Sequence, residues 1–246
     1  MLKRISLPLA FVTLGATHAA MAASTYDEGQ WIATFKVGTS LIPKGSFQAA
    51  QSQGNVAIDR LQFDDIYDVG IGFGLELGYR VAPNLEPFVR VDYSQMRGDE
   101  VRIGQISTAG LVSPVRGDFD DMKSWSLDVG ARYFFLDNSP VRPYLAAYVG
   151  ADRADEVFSH LSVNGVPVDS GKERLLPRET RFNAGVEAGV SYQLAEKAAL
   201  RFSVGADYAS SRHEDSAAYD AIGLDHVRIT EDSWTIPVDL GFSYQF

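Results

Sequence analysis

Cysteine is absent from the 246 residues, which excludes a disulfide framework and leaves a chain of this size to be held together by its own packing and hydrogen bonding. Long apolar runs are missing as well, and the mean hydropathy of −0.08 is far too polar for a bundle of membrane helices. Basic residues are in deficit, 22 Lys and Arg against 32 Asp and Glu, which argues against a nucleic-acid partner. What the chain does have is 22 Gly and 11% aromatic residues. Composition alone reads as soluble, so the pattern along the chain has to decide.

The first residues form a distinct unit. Lys3 and Arg4 precede the apolar stretch Leu7 to Leu14, and small residues follow up to Ala20-Met21-Ala22. This is the layout of a secretory signal peptide, with cleavage expected after Ala22 or one residue later. A membrane anchor is excluded by length, since about 20 apolar residues are needed to span a bilayer. Cleavage takes the formal net charge from −10 to about −12 and leaves residues 23–246 as one domain.

From Trp31 onward the sequence alternates with period two, the spacing of a strand and not of a helix. Trp31, Ala33, Phe35, Val37 and Leu41 share one face of the first segment, with Lys36 on the other. In the second segment Val69, Ile71, Phe73, Leu75, Leu77 and Tyr79 alternate with Gly70, Gly72, Gly74, Glu76, Gly78 and Arg80. Six more segments follow. Their large apolar residues include Val89, Val91 and Tyr93; Trp125, Leu127 and Tyr133; Leu145 and Val149; Phe182, Val186 and Tyr192; Leu200, Phe202 and Tyr208; and Trp234, Leu240, Phe242, Tyr244 and Phe246. In the fifth, Tyr144, Tyr148 and Gly150 are assigned to the opposite, inner face.

Each segment is roughly ten residues long, the length a tilted strand needs to cross a bilayer. Connections after the second, fourth and sixth are short and rich in turn formers (Ala82-Pro83-Asn84, Asp137-Asn138-Ser139-Pro140, Ala195-Glu196-Lys197), whereas the others are long and polar. The expected fold is all-β: an eight-stranded antiparallel up-and-down transmembrane barrel with four long extracellular loops and both ends in the periplasm. Within the third loop, Leu161 to Val168 reads either as a hairpin turning at Asn164-Gly165 or as irregular chain.

A soluble ligand-binding barrel would bury its bulky face and show a polar exterior. Here the face that must crowd into a narrow lumen is the one rich in Gly, Ser and charge, so the bulky face looks outward to lipid. Aromatics at strand ends suit an interfacial girdle: Trp31, Tyr79, Tyr93, Trp125, Tyr133, Tyr192, Tyr208 and Trp234. The alternation of Leu240, Phe242, Tyr244 and Phe246 at the C-terminus resembles the signal by which the barrel-assembly machinery recognises outer-membrane proteins. With the eight-strand layout, the chain resembles the small outer-membrane barrels typified by the transmembrane domain of outer membrane protein A and by outer membrane protein W. That resemblance implies a monomer in the bacterial outer membrane, in contact with its lipid and lipopolysaccharide. Unlike outer membrane protein A, the chain is expected to end at the barrel, without a periplasmic peptidoglycan-binding domain.

The inner face balances its charges. Lys36, Arg80, Arg90, Arg132, Arg181 and Arg201 stand against Glu76, Asp92, Asp128, Glu187, Asp207 and Asp239. Unpaired buried charges cost several kcal/mol, so a paired network is expected in a lumen only wide enough for side chains. A tight turn at residues 195–198 places Glu187 nearly opposite Asp207, which calls for Lys36, Arg132 or Arg201 between them.

Catalytic and metal signals are sparse. His160, His213 and His226 fall in expected loops, and His213-Glu214-Asp215-Ser216 has the residue types of a hydrolytic triad without the separation in sequence that such sites normally show. The acidic groups Asp64, Asp65, Asp68 and Asp118, Asp120, Asp121 lack calcium-loop spacing. The expectation is therefore a non-enzymatic barrel without cofactor or metal, with an envelope-structural or surface-interaction role through its loops. The alternatives are a narrow channel for small or apolar solutes and, behind it, a loop-sited hydrolase.

Overall fold

The computed structural model describes residues 28–41, 46–48, 50–108, 110–136, 139–168, 173–211 and 233–246. Strand β1 (Trp31–Leu41) is followed by β2 (Ser46–Gln48), β3 (Gln51–Gln53), β4 (Val56–Ile58), β5 (Leu61–Gln62) and the single-turn helix α1 (Phe63–Ile66) before β6 (Gly70–Tyr79). Next come β7 (Leu85–Met96), β8 (Glu100–Thr108), β9 (Leu111–Phe119) and β10 (Met122–Phe134). The chain then runs through β11 (Val141–Ala154), β12 (Val157–Val163), β13 (Val166–Pro167), β14 (Glu173–Leu176), β15 (Glu179–Ala195), β16 (Ala198–Ala209) and β17 (Ser233–Gln245). The expected leader, the His213 to Ser216 cluster, His226 and the turn residues Asp137 and Asn138 lie outside the described residues.

Eight of these strands, β1, β6, β7, β10, β11, β15, β16 and β17, form a closed barrel in sequence order. Closure comes from β17 pairing antiparallel with β1, from Ile32 opposite Gln245 to Leu41 opposite Ile236. A closed ladder leaves no sheet edge, the condition for strands to cross a medium without water. Side chains follow the expected parity: Leu75 is 64% exposed on the outside while its neighbour Glu76 is 3% exposed inside. Tyr144 and Tyr148 are buried inside and Leu145 and Val149 exposed outside, as assigned. The short turns are tight. Leu85 N donates to Ala82 O at 3.1 Å between β6 and β7, and Ala195 pairs with Ala198 between β15 and β16.

The long connections are more structured than the sequence reading anticipated. Strands β3, β4, β8, β9, β12, β13 and β14 join into a second sheet beyond one end of the barrel, and β2 pairs with β5 beside it. This cap has its own core, in which Phe47, Ile58, Phe63, Ile103, Phe119, Val157, Leu161 and Leu175 are buried together. Phe47 sits at its centre, edge-on to Phe63 at 5.2 Å and to Phe119 at 5.7 Å between ring centroids. The hairpin reading of the third loop is the one realised: Val163 pairs with Val166, and Asn164 and Gly165 have φ of 51° and 78°. Two consecutive left-handed residues make the tight turn whose twist matches a hairpin.

Candidate functional site

The lumen is filled in three tiers. At the lowest, Arg132 on β10 grips Glu76 on β6 with both terminal nitrogens, at 2.8 and 2.9 Å, and reaches Glu86 on β7 at 2.7 Å. Arg201 on β16 donates to Glu76 at 3.0 Å, to both oxygens of Glu86 at 2.8 and 3.1 Å, and to Thr34 at 3.1 Å. Arg80 adds a third cation to Glu86 at 2.8 Å. Strands β7 and β16 are diametrically opposite in the eight-strand order, so the Arg201–Glu86 contact crosses the whole barrel. Below it, the Arg80, Arg142 and Arg201 guanidinium groups lie over the Phe134 ring at 5.4, 4.6 and 5.7 Å. Bidentate, charge-assisted bonds of this kind are the strong class of hydrogen bond, and they form here at full burial.

The middle tier centres on Arg90, whose guanidinium contacts Asp92 at 2.6 Å, Asp128 at 3.3 Å and Glu187 at 3.4 Å and stacks on Tyr148 at 3.8 Å. Asp128 also accepts from Asn183 at 2.7 Å and Ser126 at 3.0 Å. Glu187 accepts from the Tyr144 hydroxyl at 2.7 Å and lies 3.9 Å from Arg132. In the upper tier Lys36 bridges Asp239 at 3.4 Å and Asp92 at 3.6 Å, and Arg181 holds Asp152 at 2.7 Å. These groups line a chamber of about 150 Å³, whose wall also includes Phe63, Met96 and Met122.

Glycine on this face makes room for rings. Tyr144 lies across from Gly189 and Tyr148 across from Gly185, and a Cβ at Gly189 would fall 2.5 Å from the Tyr144 ring. The same relation joins Phe88 to Gly130. The Gly-rich alternation in the sequence is thus the complement of the inward aromatics, which in turn carry the guanidinium groups.

All ten charged residues singled out from the sequence, Lys36, Glu76, Arg90, Asp92, Asp128, Arg132, Glu187, Arg201, Asp207 and Asp239, point into the lumen. Nine of them join ion pairs. The expected register is off by one pair: Gly185 is opposite Asp207 and Gly205 is opposite Glu187. Asp207 accepts a hydrogen bond from the Tyr148 hydroxyl, and Glu187 has Arg90 and Arg132 as its cations. Glu86, Arg142 and Asp152 were not singled out, although each keeps the inward parity of its strand. Glu86 and Arg142 sit next to turns, where the alternation is shortest.

The eight strand-end aromatics fall into two rings. Trp31, Tyr79, Tyr133 and Tyr192 lie at the end of the short turns, with Trp31 and Tyr79 4.9 Å apart. Tyr93, Trp125, Tyr208 and Trp234 lie at the cap end, with Tyr93 4.9 Å from Trp125 and Tyr208 5.3 Å from Trp234. Leu240, Phe242, Tyr244 and Phe246 form an exposed apolar row on the last strand and just past its end. His160 lies in β12, opposite Asp118. Asp65 caps α1 by accepting from Gln62 N at 2.8 Å, and Asp121 accepts from Gln95 at 2.7 Å. Among the described residues no three His, Asp or Glu side chains gather as metal ligands.

The family model described as the outer membrane protein beta-barrel domain matches residues 9–246. Solved structures with a similar chain path include neisserial surface protein A, at 18% identity and a TM-score of 0.46, covering 89% of this chain and 98% of that one. OprG from Pseudomonas aeruginosa is 14% identical with a TM-score of 0.49, covering 92% and 99%. Ail of Yersinia pestis is 13% identical with a TM-score of 0.43, covering 89% and 100%. No curated protein matches the sequence.

Proposed function

The chain belongs to the outer-membrane β-barrel family, and on that premise we propose that it is a non-enzymatic surface-interaction protein whose barrel anchors and whose extracellular cap makes the contacts. In this reading the two aromatic rings are the interfacial girdles, and the row ending in Phe246 is what the assembly machinery engages. The paired lumen charges act as a plug that ties opposite walls together.

The observation that carries the proposal is at the tip of the cap. The β8–β9 and β12–β13 hairpins are joined side by side by the β9–β12 ladder, which Asn164 extends by donating to Ser113 at 2.8 Å through its side chain and to Pro114 O at 3.3 Å through its backbone. On the two hairpins that meet there, Leu111 is 74%, Val112 61% and Val166 64% exposed. Exposed apolar side chains on the hydrogen-bonded sheet of the cap suit contact with another surface. Cells displaying the protein are compared with cells displaying Leu111→Ser/Val112→Ser/Val166→Ser for adherence to apolar and protein-coated surfaces. Loss of adherence at equal surface expression supports the reading, and unchanged adherence contradicts it.

A second reading, a narrow channel, draws on the chamber of about 150 Å³ in the upper lumen. It requires the Arg201–Glu86 tier to open, and single-channel recording separates the two.

A further inference from the structure

Charge is unevenly divided along the lumen. The lowest tier holds four guanidinium groups, Arg80, Arg132, Arg142 and Arg201, against two carboxylates, Glu76 and Glu86, so its formal charge is positive. The wall of the chamber above it carries five carboxylates, Asp92, Asp128, Asp152, Asp207 and Asp239. Among the described residues, three cations line the same wall, Lys36, Arg90 and Arg181, so its formal charge is negative. Water reaches the chamber and stops at the tier: the side chains of Asp92 and Asp239 are 27% and 19% exposed, those of Glu76 and Glu86 1% and 0%. The open side is therefore toward the cap, where the wall is made by Phe63, Met96 and Met122 of the cap core and its margin.

Two acceptors at this wall lack what an incoming donor would supply. Four of the five carboxylates hold a cation in ion-pair contact. Asp207 holds none among the described residues and accepts from the Tyr148 hydroxyl. Asn183 turns its amide nitrogen to Asp128 at 2.7 Å, and its Oδ1 is buried and accepts no hydrogen bond among the described residues. Leaving a buried acceptor unmet is costly, so a donor brought there is favoured. The two residues are on adjacent strands and one inward position apart: Gly185, the next inward residue after Asn183, is opposite Asp207 and places no side chain of its own between them.

An ammonium group has three N–H donors and no acceptor, which suits a carboxylate beside an amide oxygen on a net-negative wall. A bare metal ion is less well served, because among the described residues no three carboxylate or His side chains converge. The chamber of about 150 Å³ has room for on the order of ten water molecules, and so for a short alkyl chain in their place. Phe63, Met96 and Met122 offer that chain an apolar seat nearer the mouth. We infer that the upper lumen is a dead-end binding pocket for a small primary alkylammonium, with its ammonium on Asp207 and Asn183 Oδ1 and its alkyl chain toward Phe63, Met96 and Met122. A cation drawn in by the acidic wall meets a dry, net-positive floor and goes no further. The pocket is independent of what the cap contacts, and stands whether or not the cap adheres to a surface.

The test is isothermal titration calorimetry of the refolded protein in zwitterionic detergent at pH 8, with n-butylammonium chloride as the probe. Tetramethylammonium chloride, which has the charge without N–H donors, and 1-butanol, which has the chain without the charge, are titrated beside it at equal ionic strength. Saturable one-to-one binding of butylammonium is expected, with both comparison compounds at least about tenfold weaker, since hydrogen bonds to charged groups are worth that much. Asp207→Asn is expected to weaken butylammonium by about tenfold as well, and Asn183→Ala by less. Heat-modifiable gel mobility reports that each variant is folded. Equal affinity for butylammonium and either comparison compound, which needs no variant, overturns the inference. So does the absence of butylammonium binding at millimolar concentration, or unchanged affinity in folded Asp207→Asn.

Discussion

Replacing Glu86 by Ala tests the lumen most severely. Its carboxylate is fully buried and receives Arg132 at 2.7 Å, Arg201 at 2.8 Å and Arg80 at 2.8 Å. Removing it leaves Glu76 as the carboxylate shared by Arg132 and Arg201, and cuts the contact that spans the barrel. Removing one partner from a buried charge network costs about 3–5 kcal/mol, because the remaining charges stay desolvated. That is a large part of a total stability on the order of 5–15 kcal/mol. Glu86→Gln preserves volume but turns an amide donor toward guanidinium donors, so it is expected to fall in the same range. The control is Glu100→Ala: the Arg116–Glu100 pair in the cap is 55% and 53% exposed, and such pairs contribute about 0–1 kcal/mol. Urea titration of the refolded protein in vesicles, read by gel mobility and tryptophan fluorescence, measures both. A loss below about 1 kcal/mol for Glu86→Ala would refute the view that this tier is held by its ion pairs.

Gly189→Ala places a methyl group 2.5 Å from the Tyr144 ring and from Phe202 O, so it is expected to lower the urea midpoint more than Gly54→Ala, where nothing lies within 4 Å and only the φ of 59° opposes a side chain. Phe47→Ala empties the centre of the cap core at a cost of about 3–5 kcal/mol to that unit. Limited proteolysis should then cut the cap while the barrel keeps its folded gel mobility; simultaneous loss of both would show that they fold as one unit. Gly165→Val puts a β-branched residue at φ 78° and is expected to raise amide exchange in β12 and β13 without changing the barrel. Exchange spreading into β11 or β15 would contradict that.

The barrel was legible because its physics is periodic. A lipid exterior and a crowded lumen impose opposite demands on alternate residues, and the run from Gly70 to Tyr79 records them without interruption. The cap was harder to read. Val157, Leu161 and Val163 alternate too, but its strands are short, and Phe47, Phe63 and Phe119 come from three segments that meet only in the folded state. Opposing charges on the inner face announced a network, yet their pairing depends on which strands are opposite across the lumen, which periodicity does not carry. The Arg201–Glu86 contact joins residues 115 positions apart. Asp207 shows the same limit: a shift of two residues in register replaced an expected carboxylate neighbour with glycine and gave it a tyrosine partner.

Whether the lumen is a seal or a path is decided most directly by planar-bilayer recording of the refolded mature protein beside Glu187→Gln and Asp207→Asn. The paired-charge plug predicts no steady single-channel openings in any of the three while each remains folded by gel mobility. Steady openings in the unsubstituted protein, altered in conductance by either variant, would contradict it and make the charged chamber part of a conduction pathway.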